Sequence, residues 1–206
     1  MAIATMALPS ETAGKTAASG SDEDVASAAM ERYAGGDESA FADLYDLLAP
    51  RLYDYLASQV RNRALAEDLV QQTFLQLHRA RGSFLAGADV RPWAFAIARR
   101  LMIDGFRRNK LETAQLAEES RKPEGGSAEA PDQQLAAKQL AARVADALDK
   151  MPESQRTAFQ LVKQNGLSLA QAAEVLGTTI TAVKLRLHRA VQGLRAVTGD
   201  ESGDFE

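Results

Sequence analysis

The sequence predicts an all-α protein made of two small helical domains joined by a flexible linker. Three observations point that way. Leu and Ala supply most of an apolar content of 46% while aromatics make up only 6%, which suits helices better than sheets. Apolar residues recur at steps of three and four over several long stretches, the period of an amphipathic helix. Between two groups of such stretches lies KPEGGSAEAPDQQ, whose Pro, Gly, Ser and Glu content marks a tether. The expected division is a disordered tail over 1–21, a helical domain over 22–110, a flexible linker over 111–134, a second helical domain over 135–197 and an acidic tail over 198–206. A chain of 206 residues accommodates one or two domains.

In order, the first helix is expected over Asp22 to Tyr33, stopped by Gly35-Gly36. Asp37 can cap a long second helix through Phe41, Leu44, Tyr45, Leu48, Leu52, Tyr55 and Leu56, with Pro50 expected to bend or divide it. The third spans Ala64 to Arg81. It turns Leu65, Leu69, Val70, Phe74 and Leu77 inward and Glu67, Asp68, Gln71, Gln72, Leu75, Gln76 and Arg79 outward. That outer face suits a docking partner or an ordinary solvated surface equally well.

A glycine-containing loop, Gly82 to Val90, precedes a helix over Arg91 to Lys110 with Pro92 at a tolerated first-turn position. Ala94, Phe95, Ala98, Leu101, Met102, Gly105 and Phe106 form its apolar arc, and Trp93, Arg100 and Arg107 lie opposite, with Arg99 and Lys110 at the edge. A tryptophan on a basic face can stack on an unpaired base while arginines hold phosphates, worth about 1–3 kcal/mol per base. The same ring can equally be buried against the preceding helix.

After the linker, Leu135, Leu140, Val144 and Leu148 line one side of a helix, and Met151-Pro152 opens another with Phe159, Leu161 and Val162 apolar. Leu167 to Ala196 then reads as helix, glycine turn, helix. Ser168 and Gln171 have capping-box spacing, Gly177 marks the stop, and Thr179 caps a second helix from Ile180. This is the helix-turn-helix pattern, whose second helix enters a DNA major groove. Ile180, Val183, Leu187, Ala190, Val191 and Leu194 form a core-facing stripe. The opposite side carries Thr181, Ala182, Leu185, His188, Arg189 and Gln192, flanked by Lys184 and Arg186.

The net charge of −4 conceals this basicity. It divides into −3 over 1–36, +2 over 37–110, −4 over 111–137 and +1 over 138–206. Arg91 to Lys110 holds six basic residues and one acid, and Gly177 to Thr198 holds four basic residues and none. Two basic stripes on an acidic chain suggest two separate contacts with phosphate. The chain contains no cysteine, and its two histidines are 110 positions apart, so neither a disulfide framework nor a histidine-rich metal site is expected. There are no paired catalytic carboxylates in a recognisable setting and no Gly-rich phosphate loop, so neither an enzyme nor a cofactor is expected. No apolar run approaches a membrane span and the N-terminus does not read as a secretory signal, which together predict a cytoplasmic protein.

Ala66-Glu67-Asp68-Leu69-Val70-Gln71-Gln72-Thr73-Phe74 resembles the region 2 motif of sigma-70-type transcription initiation factors. WAFAIARRLMIDGFRR, Trp93 to Arg108, resembles the promoter-melting segment that follows it. Met151-Pro152 through Leu194 resembles region 4, including Leu167-Ser168 and the run Val183-Lys184…Arg186-Leu187-His188-Arg189-Ala190. With short modules and regions 1 and 3 missing, the chain looks like the extracytoplasmic-function (ECF) subgroup.

The resemblance implies a factor that binds core RNA polymerase, recognises promoter DNA through −35 and −10 elements and opens the duplex. It implies that Asp68, Gln71, Gln72 and Leu75 dock on the polymerase clamp helices. Arg91, Trp93, Arg99, Arg100, Arg107 and Arg108, with the 82–90 loop, would engage the −10 element. Thr181, Lys184, Leu185, Arg186, His188 and Arg189 would read the −35 element. It also implies an anti-sigma factor as inhibitor. The family often carries Asn where Arg100 stands, Gly-Thr where Thr181-Ala182 stands, and Ser where Leu185 stands. Leu185 cannot donate a hydrogen bond but can pack on a thymine methyl, so an altered −35 preference is expected. The competing reading is a helix-turn-helix regulator that binds operators without polymerase; a sigma-like adaptor is a third.

Overall fold

A computed structural model describes residues 20–113 and 133–198, with side chains described over 25–108 and 142–198. The expected tails and the centre of the expected linker lie outside the described residues. Eight α-helices are present among those described: α1 (Gly20–Ala34), α2 (Ala40–Val60), α3 (Arg63–Ala80), α4 (Val90–Thr113), α5 (Gln133–Lys150), α6 (Glu153–Phe159), α7 (Leu169–Leu176) and α8 (Ile180–Thr198). Helices α1 to α4 pack on one another, and α5, α6 and α7 each pack on α8. Two seams join these groups, α7 against α4 and α6 against α2.

Helix α2 is the axis of the first group. Leu44, Leu48, Leu52, Tyr55 and Leu56 are essentially without solvent exposure. Each such burial is worth about 1.5–3 kcal/mol. Their sum outweighs the roughly 3 kcal/mol that a proline costs inside a helix. Pro50 is exposed and α2 runs undivided through it, so the expected division does not occur. The start of α2 also differs in detail. Asp37 Oδ1 accepts from the Ser39 amide at 3.0 Å and from its hydroxyl at 2.5 Å, a local turn that leads into the helix rather than a cap on it. These bonds hold the Asp37 carboxyl below the usual carboxylate range.

Helix α3 begins one residue before the expected Ala64, because Asn62 accepts from the Leu65 amide at 3.1 Å and caps it. Its inner face meets the rings of α2: Phe74 stands edge-on to Phe41 at 5.9 Å and lies 4.6 Å from Tyr45. Between α2 and α4, Tyr55 and Phe95 form another edge-on pair at 5.3 Å. Three residues placed on the apolar stripes remain exposed: Tyr45 in α2, Phe106 in α4 and Ile180 in the first turn of α8.

The helix-turn-helix follows the expected chemistry atom by atom. Ser168 and Gln171 form a reciprocal capping box, with the Gln171 amide donating to Ser168 Oγ at 3.2 Å and the Ser168 amide donating to Gln171 Oε1 at 2.8 Å. Gly177 closes α7 at φ 60°, which a side chain would strain. Thr179 Oγ1 accepts from the Ala182 amide at 3.2 Å and caps α8.

Candidate DNA and polymerase surfaces

The exposed side of α8 is built by its period. Val183, Ala190 and Leu194 are buried, so the residues turned away from them face solvent. Thr181, Lys184, Leu185, His188 and Arg189 are exposed, and Arg186 is half-buried at the flank. Leu185 is 48% exposed in the middle of this surface, an apolar side chain among cations. The helix contains no acidic residue. A rod presenting this face has the charge and width to lie in a major groove.

The second basic surface is less uniform. On α4, Arg100, Arg107 and Arg108 are exposed, and Arg100 has Asp104 one turn on, with Nε–Oδ2 at 3.8 Å. Arg99 is half-buried near Tyr55. Burial pushes the Tyr55 phenol above its ordinary value, against the pull of the Arg99 charge. Arg108 shares a cleft with Asp68 and Gln72 of α3, which sets it apart from the rest of the group and beside the candidate polymerase residues.

Trp93 is half-buried. Its ring lies 5.6 Å from that of Phe84 in the 82–90 loop, tilted by 31°, and packs against the buried core. Leu85 beside it is 58% exposed. Phe84 was not among the sequence candidates, although an aromatic in a glycine-containing loop before a Trp-bearing basic helix is a legible signal.

Arg91 stands apart from the other candidates. It is 4% exposed and clamped by Asp89, with Nη2–Oδ2 at 2.7 Å and Nε–Oδ1 at 3.1 Å, while Nη1 donates to the main-chain oxygen of Asn165 at 3.1 Å. In this arrangement it faces the second helical group and not solvent.

The four candidate polymerase contacts share the outward ridge of α3. Asp68 and Gln71 are exposed, Leu75 is 47% exposed, and Gln72 donates to Asp68 Oδ2 at 2.6 Å. The ridge separates two clefts. Asp68 and Gln72 line one with Leu101 and Phe106; Gln71 and Leu75 line the other with Tyr45 and His78. A polar ridge bearing an exposed leucine between apolar grooves suits another protein's helices better than a small ligand. Among the described residues no cluster of His, Cys, Asp or Glu is arranged to hold a metal, and no helix is long and apolar enough to cross a membrane.

Two basic helical faces and an exposed ridge on α3 suit a DNA-binding protein that also meets a protein partner. Comparison with known proteins gives the same class. The family model for sigma-70 region 2 matches residues 44–112 and that for sigma-70 region 4 matches residues 141–194. The chain is 35% identical to RNA polymerase sigma factor CarQ of Myxococcus xanthus, across 83% of this chain and 96% of that one. It is 33% identical to ECF RNA polymerase sigma factor SigF of Caulobacter vibrioides, across 81% and 90%.

Among solved structures, CnrH in complex with the cytosolic domain of CnrY superposes with a TM-score of 0.60 at 27% identity, covering 87% of this chain and all of that one. The sigma factor RpoE in complex with the anti-sigma factor NepR, from Bartonella quintana, superposes with a TM-score of 0.61 at 25% identity, covering 79% and 98%. The chain belongs to the sigma-70 family of RNA polymerase sigma factors, in its ECF group. It is therefore a polymerase-binding transcription initiation factor, and the reading as a polymerase-independent regulator is not favoured.

Proposed function

We propose that the ridge Asp68, Gln71, Gln72 and Leu75 docks core polymerase, that Trp93 with Arg99, Arg100, Arg107 and Arg108 holds the −10 element, and that Thr181, Lys184, Leu185, Arg186, His188 and Arg189 read the −35 element. Arg91 joins the −10 group when the second module moves away. Residues 22–110 and 135–197 are the two working domains and 111–134 their tether. The protein acts in the cytoplasm, performs no catalysis of its own and uses no cofactor.

The observation that carries this reading is the pairing of an acid-free, Leu185-centred face on α8 with a separate cationic α4 that presents a tryptophan. Each module alone is a weak phosphate binder on an acidic chain. Tethering makes the second contact intramolecular, and polymerase supplies the rest of the affinity. As with CnrH and RpoE, which were solved with CnrY and NepR, the partners of this chain include an anti-sigma factor.

Transcription from a two-element promoter with purified core polymerase tests the assignment. The chain should support it, and Arg186→Ala with Arg189→Ala, or Trp93→Ala, should abolish or severely reduce it. Undiminished transcription by both variants would refute the assignment of those residues.

A further inference from the structure

Helix α4 carries a glycine that nothing in its own packing calls for. Glycine is among the poorest residues for a helix interior. Gly105 lies eight residues before the last residue of α4, well inside the helix. Beyond its own stretch of helix, no atom lies within 4 Å of where its Cβ would stand. Close approach within the chain therefore does not explain it. Beside it, Phe106 is 37% exposed although it belongs to the apolar stripe.

Both residues open onto one cleft between α3 and α4. Val60, Leu65, Leu101 and Met102 line it with them, and Asp68, Gln72 and Arg108 lie along it as well. Gln72 Nε2 donates to Asp68 Oδ2 at 2.6 Å, so part of that polar wall is already satisfied. The cleft holds about 240 Å³, less than the roughly 300–1,000 Å³ of a small-molecule site. An apolar trough of this size, with bare helix backbone at Gly105, suits the inserted side chains of a peptide.

The fold brings one segment of the chain to this end of the bundle. Helices α1 to α4 are joined through 35–39, 61–62 and 81–89, and each joint reverses the direction of the chain. Tyr33 near the end of α1 meets Phe41 near the start of α2, with ring centroids 5.3 Å apart. Leu65 near the start of α3 shares the cleft with Phe106 toward the end of α4. The start of α1 and the end of α4 therefore lie at the same end, and residues 1–19 enter α1 there. Extended, the chain from Leu8 to Gly20 reaches about 40 Å. The diagonal of a bundle whose helices pack about 8–10 Å apart is only roughly 14 Å.

Composition selects the same segment. Residues 1–10, MAIATMALPS, carry no charged side chain, and Met1, Ile3, Met6 and Leu8 are apolar. The other stretches outside the described residues are acidic: 114–132 holds five acidic residues against two basic, and 199–206 holds four against none. Burying a carboxylate against apolar side chains is unfavourable. We propose that residues 1–9 lie in the α3–α4 cleft of the free chain, with an apolar side chain of Ile3, Met6 or Leu8 seated over Gly105, and that this tail competes with core polymerase for the Asp68–Gln72 wall. The competition rests on the assignment of Asp68 and Gln72 to polymerase docking; the seating of the tail does not.

The absence of native cysteine permits a direct test on the full chain. Spin labels at Ser10→Cys and Ala64→Cys, the latter exposed at the start of α3, report by pulsed electron resonance how near the tail lies to the cleft. Ala42→Cys, exposed beside the groove of Phe41 and Tyr45, is the control. The free chain should give a short, narrow distance from position 10 to position 64 and a longer one to position 42. Gly105→Leu fills the notch with a better helix former, so it should keep the fold and turn the short distance into a long, broad distribution. Ile3→Asp with Met6→Asp and Leu8→Asp should do the same from the side of the tail. Core polymerase should lengthen the wild-type distance. If the seated form holds about nine-tenths of the free chain, the triple variant should bind core polymerase about tenfold more tightly.

A long, broad distance from position 10 to position 64 in the free wild-type chain would overturn the proposal. So would a short distance to position 42, or a short distance to position 64 that survives Gly105→Leu. A short distance between singly labelled chains mixed together would assign the cleft to the tail of a second copy and overturn it too. An unchanged polymerase affinity in the triple variant would defeat the competition. Asp68→Ala with Gln72→Ala keeps the two readings apart: full polymerase binding by that variant defeats the ridge assignment, while the distances in the free chain still decide whether the tail is seated.

Discussion

The guanidinium of Arg91 donates to the backbone oxygen of Asn165, 74 residues away and in the other helical group, at 3.1 Å. It does so while gripped by Asp89, so a residue whose position suggests DNA contact is also a structural strap. Arg91→Ala would leave the Asp89 carboxylate and the Asn165 carbonyl without it. Breaking one side of a buried ion pair costs about 3–5 kcal/mol, and Asp89 is partly solvated, so a loss near the lower end of that range is expected in urea unfolding. A loss below about 1 kcal/mol would show that the strap contributes little.

The α8 surface predicts a change in sequence preference from one substitution. Leu185→Ser replaces an exposed apolar side chain with a hydrogen-bonding one at the centre of the reading face. Selection from a randomised −35 library should shift away from thymine at the facing position. Identical selected sequences would remove Leu185 from the reading surface.

Arg186→Ala and Arg189→Ala should each weaken promoter binding at low salt. Where the lost contact is to phosphate, the slope of log affinity against log salt should fall by about one for each. A base contact would instead relax specificity with little change in slope. Measurement across a salt series with polymerase present distinguishes the two.

Gly177→Ala tests the turn between α7 and α8. The backbone there holds φ 60°, and the left-handed region costs an L-residue about 1–2 kcal/mol. A drop of that size in unfolding free energy is expected, with nothing nearby for the new methyl to strike.

Tyr55 predicts a pH dependence. Burial raises its phenol pKa in the folded chain, above an unfolded value near 10. A raised folded pKa favours the neutral form, so the associated stability is complete below about pH 10 and is lost as pH climbs through the folded value. Tyr55→Phe should flatten that alkaline loss, as followed by unfolding at a series of pH values. An unchanged alkaline slope would mean that Tyr55 does not titrate through folding.

Local features were legible in the residues because their causes are local. Ser168 with Gln171, Gly177 and Thr179 specify caps and a turn within a few positions of themselves, and the structure contains each. The split of α8 into a buried stripe and a basic face follows from a period of 3.6, and only Ile180 at its first turn departs. The exposed ridge of Asp68, Gln71 and Leu75 on α3 was legible for the same reason. Pro50 does not divide α2, because proline's penalty is local while the burial that overrides it comes from α1, α3 and α4.

By itself, then, the chain determined its helices, their caps, the two basic faces and the family to which their order belongs. Only the tertiary structure decided that Trp93 meets Phe84, that Arg108 sits beside Asp68, and that Arg91 is buried against Asn165. Those facts depend on which elements meet across tens of residues. Periodicity reports the direction in which a side chain leaves its own helix, and carries no information about what stands opposite it.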